Sequence, residues 1–371
     1  MAWYNNNWQY RVKVTIDNTK VPGDLDNYTA YVDLSLLPSS FFSTVKSDGG
    51  DIRITTSDGT TEVPTYVNAI DTGAETGYLF FRYPGTLSST VDTDIYIYYG
   101  NSGASTPAVT ATYGRNNTFQ NFMGFWDLEQ DPSGSAPQFT NLNGTGNDLT
   151  AQGTWDGSEV GSGPIGQYIE TGVSTEHWVS GGAGMMTVTV GFNVRLSYGG
   201  WVYSQNSSLC LTKIGSNQLG GRVRAIAGGT GSVDVNALSN NGGTLQLNND
   251  TGDFSAGTAW RYLANVHQPT SNLFESYGDG VLIESDSVST SGDWKTYQML
   301  LGRIRTTDTT LFTDGQRFSL AWARWSANSD GNYYDDLHEA EYANQNNPDT
   351  FYTIGSEENV PVISRRVFNI S

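Results

Sequence analysis

The chain contains few of the residues that form disulfide cross-links and metal centres. Cys210 is the sole cysteine among 371 residues, so no intrachain disulfide can form, and its apolar setting indicates a buried, inert thiol. The three histidines, His177, His267 and His338, are far apart and form no H-E-x-x-H motif. The usual zinc spacings therefore cannot be assembled. A G-x-S-x-G nucleophile elbow and a phosphate-binding loop are missing too, which argues against two common classes of enzyme.

Long apolar runs are also missing. No segment approaches the roughly 18 consecutive apolar residues that a membrane-spanning helix needs, so no membrane insertion is expected. The first residues, MAWYNNNWQYRVKV, have neither the apolar stretch nor the small-residue cleavage site of a secretory signal peptide. We therefore expect a protein that is cytosolic, already processed, or assembled in the cytoplasm and released by lysis, as a virus particle protein is.

Basic residues are few. Lysine and arginine number 19 against 38 acidic residues, which gives a net charge of −19. Such a surface repels phosphate backbones, so nucleic-acid binding is not expected. The acidity favours solubility. The alternative is that some acidic groups gather to bind Ca²⁺, whose preferred ligands are carboxylate and carbonyl oxygens.

Glycine and aromatic residues, by contrast, are abundant. The chain has 43 glycines and is 12% aromatic, a combination that suits many short strands joined by tight turns. Its first 110 residues contain the segments YRVKVTI, YTAYVDLSL, DIRITT, GYLFFRY and DIYIYYG, separated by glycine- and aspartate-rich turns, which predicts an antiparallel β-sandwich. The last segment is bulky on both faces. Its Tyr96 and Tyr98 either pack between two layers or form a row offered to a ligand.

Four motifs in residues 3–102 resemble a known family. WQYRVKVTIDN, YVDLS, DIRITTSDGT and DTDIYIYYGN follow one another as in a bacterial, archaeal and phage domain of unknown function. That domain commonly precedes a concanavalin A-like (laminin-G type) lectin domain, and the IYIYYGN strand closes it. The resemblance therefore implies that Tyr96 and Tyr98 are packed between two layers.

A second series of motifs resembles the lectin domain itself. GFWDLEQD, AWRYLANV, SYGDGVLI and LLGRI occur in the order of a concanavalin A-like jelly roll, and HEAEYANQNNPDTFYTIGSEE resembles the ending seen when the two domains occur together. The resemblance implies an all-β protein of two antiparallel β-sandwich domains, the second a jelly roll. The expected boundaries are 1–112 for the first domain, 113–358 for the second and 359–371 for a tail.

One short helix is predicted near the C-terminus. Leu337, Ala340 and Tyr342 lie roughly on one side of a segment from about Tyr333 to Gln345. Ser329 and Asp330 are placed to cap its start, and Pro348 is placed to end it.

The lectin-like fold also hosts glucanases, which carry E-x-D-x-E or E-x-D-x-x-E on one strand. The nearest match here is Glu284-x-Asp286-x-x-Ser289, in which serine replaces the final acid. Retaining hydrolysis needs two carboxyl groups about 5 Å apart, one as nucleophile and one as acid. Because the acid/base partner is missing, we expect no enzymatic activity and assign no catalytic residue.

Binding is the remaining function for the second domain. Sugars are bound by aromatic faces that stack on their C–H-rich rings. Trp155, Trp178 and Trp294 lie in polar, glycine- and serine-rich settings, so they are the candidate stacking platforms, with packing inside a loop as the alternative. The laminin-G resemblance allows Ca²⁺ at the rim of the sandwich, but no residue matches closely enough to be assigned as a ligand. No cofactor is predicted with certainty.

The tail NVPVISRRVFNIS departs from both domains in composition. It has two arginines and no acid, so the chain without it carries −21. We predict that Val362, Arg365, Arg366 and Phe368 dock on a neighbouring subunit by edge pairing. The alternative is an intramolecular strand across the domain junction.

Three functions compete. The favoured one is a structural or adhesion protein on the exterior of a phage particle, as a capsid decoration or tail component. Its partners would be other virion subunits or copies of itself, together with cell-surface or environmental glycans. The second is a secreted or cell-surface carbohydrate-binding adhesin of a bacterium or archaeon. The third, a glycan-degrading enzyme, is disfavoured by the incomplete carboxylate motif.

Overall fold

A computed structural model of the chain is predominantly β-structure, with a few short helices. It describes residues 2–146, 148–152, 160–170, 177–180, 186–187, 195–203, 208–212, 219–225, 233–241, 244–252, 260–268, 273–287, 296–301, 319–328 and 333–361. The strand pairings between these residues are antiparallel. The all-β fold class predicted from the sequence is confirmed.

The N-terminal third alternates strands and tight turns. Its strands are β1 (Tyr10–Ile16), β2 (Leu25–Asp26), β3 (Thr29–Asp33), β4 (Arg53–Thr56), β5 (Glu62–Val63), β6 (Thr65–Asp71), β7 (Thr76–Arg82), β8 (Thr86–Leu87) and β9 (Thr93–Tyr99). Its helical segments are α1 (Ser39–Thr44), α2 (Arg115–Thr118) and the 3₁₀ turns Asn18–Lys20 and Leu34–Leu36.

The remaining two thirds begin with β-strands and end with helices and a final strand. The strands are β10 (Gly124–Trp126), β11 (Leu149–Gln152), β12 (Val160–Ser162), β13 (Gln167–Glu170), β14 (His177–Ser180), β15 (Met186–Thr187), β16 (Arg195–Tyr203), β17 (Ser208–Thr212), β18 (Leu219–Ala225), β19 (Val233–Asn241), β20 (Thr244–Gly252), β21 (Trp260–Gln268), β22 (Leu273–Gly278), β23 (Val281–Ser287), β24 (Thr296–Leu301) and β25 (Ser319–Asn328). They are followed by α3 (Tyr333–Asn346), α4 (Pro348–Phe351) and β26 (Tyr352–Asn359).

The chain folds into two compact units. The N-terminal unit consists of the residues up to Lys20, residues 26–118 and the described residues from Pro348 onward; the C-terminal unit consists of 21–25 and 119–347. This division differs from the boundaries expected at 112 and 358. The second difference arises because β26 pairs with β1, so the last strand completes the first sheet and not the second domain.

Two sheets with three or more strands form the N-terminal unit. The larger has the strand order β26-β1-β9-β4-β5, and the smaller has the order β3-β7-β6. In the larger sheet Val12 of β1 lies opposite Ile97 of β9 and Glu357 of β26. A strand from the far end of the sequence is thus hydrogen-bonded to the first strand.

Strand β9 is buried on both faces, as the sequence predicted. Every residue from Ile95 to Tyr99 is at most 2% exposed. On one face, Tyr99 packs edge-on against Phe41 of α1, with ring centroids 4.8 Å apart. On the other, Tyr96 and Tyr98 lie under the N-terminal segment that holds Trp3, Tyr4 and Trp8. Tyr98 therefore contributes buried ring area, and its hydroxyl oxygen accepts a hydrogen bond from Arg11 at 2.9 Å.

The C-terminal unit has two eight-stranded sheets among its described residues. One has the order β12-β13-β25-β16-β21-β22-β23, with β10 beside β25; the other has the order β11-β14-β24-β17-β18-β19-β20, with β15 beside β24. Helix α3 confirms the predicted C-terminal helix. Pro348 begins the short helix α4, while the proposed capping residues Ser329 and Asp330 lie outside the described residues.

Candidate functional site

The N-terminal unit contains a surface cavity of about 150 Å³. One wall comes from strands β4 to β6, and the other from residues 106–115, which span the domain boundary expected at 112. Thr106, Val109 and Tyr113 are exposed to solvent at this wall. A cavity of about 150 Å³ holds one six-membered ring, since an engineered cavity of that size binds benzene.

Backbone hydrogen bonds hold the second wall against the first. The amide of Thr65 on β6 donates to the carbonyl of Tyr113 at 3.2 Å. The amide of Asn116 donates to the carbonyl of Val109 at 3.0 Å, which folds the segment back on itself. Gly49 allows the strand side to close, because its φ is +64° and a Cβ there would lie 2.8 Å from Cγ1 of Val67. The shape of the cavity is therefore determined by the path of the backbone.

A satisfied ion pair lines the inner part of the cavity. Nε of Arg53 lies 3.3 Å from Oε1 of Glu62, and both side chains are about one-tenth exposed. The other nitrogens of Arg53 donate to the carbonyls of Ile52 and Ser105 at 2.6 and 2.7 Å, and Tyr4 donates its hydroxyl proton to Glu62. Burial raises the pKa of the Glu62 carboxyl, and the Tyr4 hydroxyl and Arg53 oppose that rise. These two charges stabilise the wall and compensate each other.

Three polar groups of the cavity face no protein partner within the described part of the chain. They are the hydroxyls of Thr106 and Tyr113 and the Nη1 group of Arg115. Nε and Nη2 of Arg115 donate only to the side chain of the adjacent Asn116, at 3.3 and 3.2 Å. Beside these donors Val109 is 47% exposed and Tyr113 38% exposed. The arrangement combines an apolar and aromatic surface with free hydrogen-bonding groups.

A second polar cluster lies in the C-terminal unit, beneath α3. Oγ of Ser197 is 3.1 Å from Nε2 of His338, and Nδ1 of His338 is 2.9 Å from the hydroxyl of Tyr262. That hydroxyl donates to Oε2 of Glu341 at 2.5 Å. Because Tyr262 has one hydroxyl proton, its oxygen accepts from Nδ1–H of His338, and in the neutral imidazole Nε2 then accepts from Ser197.

The order serine, histidine, tyrosine, glutamate is one that activates a nucleophilic hydroxyl. Ser197, His338 and Tyr262 are all 0% exposed, however, and Glu341 is 3% exposed. A hydroxyl buried to this extent meets no substrate. Trp201 adds a further bond from the same sheet, donating Nε1–H to Gln345 of α3 at 2.7 Å. The cluster therefore anchors α3 to strands β16 and β21.

The candidate sugar-stacking residues predicted from the sequence are not placed by the structure. Trp155 and Trp294 lie outside the described residues, and Trp178 lies on β14 with its side chain undescribed. The tail residues Val362, Arg365, Arg366 and Phe368 also lie outside the described residues. Glu284 and Asp286 of the incomplete glucanase motif are on β23, and their side chains are undescribed as well. These assignments stay predictions.

The sequence reasoning missed the cavity altogether. Residues 102–117, SGASTPAVTATYGRNN, are mostly small and polar, a composition typical of a connector between domains. The signal that was available is the presence of Tyr113 and Arg115 in a run that otherwise has only short side chains. A linker has no need of a large aromatic or a guanidinium group, so both side chains were informative.

Neither a cluster of metal-ligating side chains nor a membrane-spanning helix is present among the described residues. No group of three or more histidine, cysteine, aspartate or glutamate side chains is placed to hold a metal ion in the described ranges. Among those same ranges, no helix has the length and apolarity needed to cross a lipid bilayer.

A concave surface with exposed aromatic and apolar groups and a few free donors has the chemical character on which a small ligand can dock. Residues 48–134 match the family described as "Domain of unknown function (DUF2341)". The match covers less than half of the chain, and the cavity lining, from Gly49 to Arg115, lies within it. It agrees with the resemblance drawn from the N-terminal motifs, although it begins later than residue 3. No curated protein sequence matches the chain.

Several solved β-rich structures are similar to parts of the chain. The botulinum neurotoxin serotype D binding domain shares 9% identity at a TM-score of 0.37, covering 61% of this chain and 52% of its own, so the match spans about half of that structure. Domain 4 of AbnA, a GH43 extracellular arabinanase from Geobacillus stearothermophilus solved with arabinotriose, shares 13% identity at 0.37, covering 59% and 98%. The Bacillus licheniformis β-glucanase shares 14% at 0.31, covering 47% and 84%. Similarity this low transfers no function.

Proposed function

We propose that this chain is a non-enzymatic attachment protein that binds glycans and works on the exterior of a phage particle. The cavity of the N-terminal unit is its ligand site and holds a single sugar ring. The observation that carries the proposal is the pairing, at one surface cavity, of exposed Tyr113 and Val109 with free donors on Thr106 and Arg115.

A sugar has groups that match both the apolar side chains and the hydrogen-bonding groups of that surface. A pyranose ring presents a C–H-rich face, which packs on aromatic and aliphatic side chains, and a rim of hydroxyls, which need hydrogen-bond partners. Tyr113 and Val109 supply the first kind of contact. The unengaged hydroxyls of Thr106 and Tyr113 supply the second without breaking any bond of the fold. The volume of about 150 Å³ suits one ring, with the rest of a glycan projecting into solvent.

The absence of enzymatic activity is part of the proposal and rests on how the acidic groups are used. Asp58 accepts from the amides of Thr60 and Thr61, and Asp71 accepts from the amides of Gly73 and Ala74, which closes their turns. These carboxylates accept the hydrogen bonds that close the turns, which is a structural role. In the cavity, Glu62 is paired with Arg53 and bonded to Tyr4. A lone paired glutamate does not make the two-carboxyl arrangement of a glycosidase.

The location on a phage particle rests on composition. The single cysteine suits a protein that folds in a reducing cytoplasm, and an acidic body with a basic, apolar tail suits docking between subunits. Val362, Arg365, Arg366 and Phe368 remain the proposed docking residues. Mass spectrometry of purified virions tests this part: the chain should be present in many copies, and its absence from virions refutes the location while leaving the ligand site standing.

A glycan array with the labelled full chain tests the binding site. Val109→Trp places a large ring at the cavity mouth, where the side chain is already 47% exposed, so the fold should tolerate it. Val91→Trp is the matched control, because Val91 is 66% exposed and does not line the cavity.

We expect the unmodified chain and Val91→Trp to bind the same glycans and Val109→Trp to lose at least tenfold in affinity. If no glycan is bound, or if Val109→Trp binds as well as Val91→Trp, the proposed function is wrong. The non-enzymatic role is tested separately. A glycan that binds is incubated with the pure protein, and the length of the glycan is then measured. A shortened product would refute the non-enzymatic role.

A further inference from the structure

We infer that the sugar ring held in this cavity is acidic: it carries a carboxylate, and Arg115 recognises it. This inference rests on the proposed function and specifies its ligand class. It is carried by the position of an uncompensated guanidinium group beside the aromatic wall of the cavity.

The cavity is positive although the protein is acidic. Its lining contains Arg53, Arg115 and Glu62 as charged residues, which leaves one positive charge, whereas the whole chain carries −19. At physiological salt the Debye length is about 8 Å, so the charges around the ligand outweigh distant acidic groups. The local field at this cavity therefore favours an anion.

Arg115 differs from the other arginines of its unit. Arg11 is paired with Glu358 at 2.6 Å and Arg53 with Glu62 at 3.3 Å. Arg82 donates to the backbone carbonyl of Asn117 and to Asn27. Among the described residues Arg115 has no carboxylate within ion-pair distance, and it donates to the side chain of its neighbour Asn116. Unlike those three arginines, Arg115 is engaged by a single side-chain oxygen, Oδ1 of Asn116, in the described part of the chain.

The remaining donors of Arg115 define the ligand's anionic group. Nη1 carries two hydrogens that no described residue accepts, and Nη2 has one more after its bond to Asn116. Adjacent hydrogens on Nη1 and Nη2 match the two oxygens of a carboxylate, which an arginine fork binds in a bidentate manner. Tyr113, two residues earlier on the same wall, then offers its ring to the sugar face.

Charge balance selects the carboxylate over phosphate. The lining has one net positive charge, which a uronic or sialic acid residue, with one carboxylate, neutralises. A phosphate monoester carries about −1.5 to −2 charges at neutral pH and would leave the cavity negative inside an acidic protein. A neutral sugar has no carboxylate, so the free N–H groups of Arg115 would be hydrogen-bonded by water alone.

Titration calorimetry with two matched ligands tests the inference. The probes are methyl β-D-glucuronide and methyl β-D-glucoside, which differ by the carboxylate, titrated into the full chain at fixed ionic strength. A third probe, N-acetylglutamate α-amide, has a carboxylate but no sugar ring. Arg115→Gln removes the charge and keeps a polar side chain. Lys20→Gln removes one positive charge at an exposed site outside the cavity and is the matched control.

We expect the glucuronide to bind at least about tenfold tighter than the glucoside, which corresponds to one charge-assisted hydrogen-bond pair. Arg115→Gln should bring that ratio close to one, and Lys20→Gln should leave it unchanged. Equal binding of both sugars, with loss of both in Val109→Trp, overturns the acidic preference and leaves the proposed function intact. If the glutamate derivative binds as tightly as the glucuronide, the site recognises acidic side chains and the inference fails. Failure of the proposed function is distinct, because then no sugar binds.

Discussion

Arg11 and Glu358, 347 positions apart in sequence, lie directly opposite each other on β1 and β26. Nε and Nη2 of Arg11 donate to the same Oε2 of Glu358, at 2.9 and 2.6 Å. The guanidinium carbon also lies 4.1 Å from the ring centroid of Tyr96, which makes a cation–π contact. This row of side chains across three strands ties the final strand to the first sheet.

The first prediction concerns that tie. Glu358→Gln should lower the free energy of unfolding by about 1–2 kcal/mol, because it weakens two charge-assisted bonds to a guanidinium group that is 5% exposed, although the Glu358 side chain itself is 43% exposed. Urea denaturation measures the loss. The matched control is Lys13→Gln on the same strand, which removes a 3.4 Å pair with Asp94 in which both side chains are at least 32% exposed.

An exposed pair contributes about 0.5 kcal/mol or less, so the control should change little. If the two substitutions cost the same, the bonds between Arg11 and Glu358 do not fix β26, and the account of the first sheet is wrong in this respect.

The second prediction concerns the turn between β4 and β5. Asp58 accepts from the amides of Thr60 and Thr61 at 2.7 and 2.8 Å and from the Thr61 hydroxyl at 2.5 Å. These bonds, that of the Thr61 hydroxyl first, hold the pKa of Asp58 well below its ordinary value. The charged form therefore stabilises the fold above the ordinary pKa, and this contribution is lost as the pH falls through the lowered value.

Asp58→Asn should accordingly destabilise the protein at pH 7 and should cost less at pH 3, because there the Asp58 carboxyl of the unfolded chain takes up a proton while that of the folded chain, with its lowered pKa, stays ionised. Thermal unfolding at the two pH values measures the difference. An unchanged cost at both pH values would contradict the role assigned to the ionised carboxylate.

The third prediction separates backbone strain from close packing at two glycines. Gly59 has φ +75°, and a Cβ on it would lie 2.4 Å from the carbonyl oxygen of Ala2. Gly85 has φ +103° and open space around it. Gly85→Ala should cost about 1–2 kcal/mol for the left-handed conformation alone, and Gly59→Ala should cost at least about 1 kcal/mol more, because the N-terminal segment must move. Equal losses in urea denaturation would show that residues 2–8 do not pack closely over β9.

The fourth prediction concerns the buried cluster under α3. Tyr262→Phe removes the hydroxyl that links His338 and Glu341, and it leaves both inside the protein without that partner. We expect a loss of about 2–3 kcal/mol. Tyr342→Phe is the control, because its hydroxyl accepts an exposed bond from Asn346 at 3.1 Å. A small effect of Tyr262→Phe would mean that the cluster does not anchor the helix.

The sequence was sufficient for the parts of the fold that depend on local pattern. Alternation predicted strand β9, since Tyr96 and Tyr98 repeat with the two-residue period of a strand, and the family resemblance implied that these tyrosines are buried. Helix α3 followed from Leu337 and Ala340 on one side of a segment that ends near a proline. The pairing of β26 with β1 was not foreseeable, because registers between strands at the two ends of a chain leave no local signal.

The candidate site could not be predicted from local sequence pattern, for a similar reason. The cavity exists because Thr65 bonds to Tyr113 and because Gly49 lets Val67 approach, and both relationships join parts of the chain that are distant in sequence. Composition alone placed residues 102–117 among linkers. Only the backbone path brings Tyr113 and Arg115 to the edge of the first unit's sheet.

The most direct measurement is a crystal structure of the full chain soaked with the saccharide that binds best on the array. The account predicts a sugar ring in the cavity of the N-terminal unit, with one face on Tyr113, Val109 at its edge and a carboxylate on Nη1 of Arg115. A sugar bound elsewhere on the molecule, with this cavity empty, would contradict the assignment of the site.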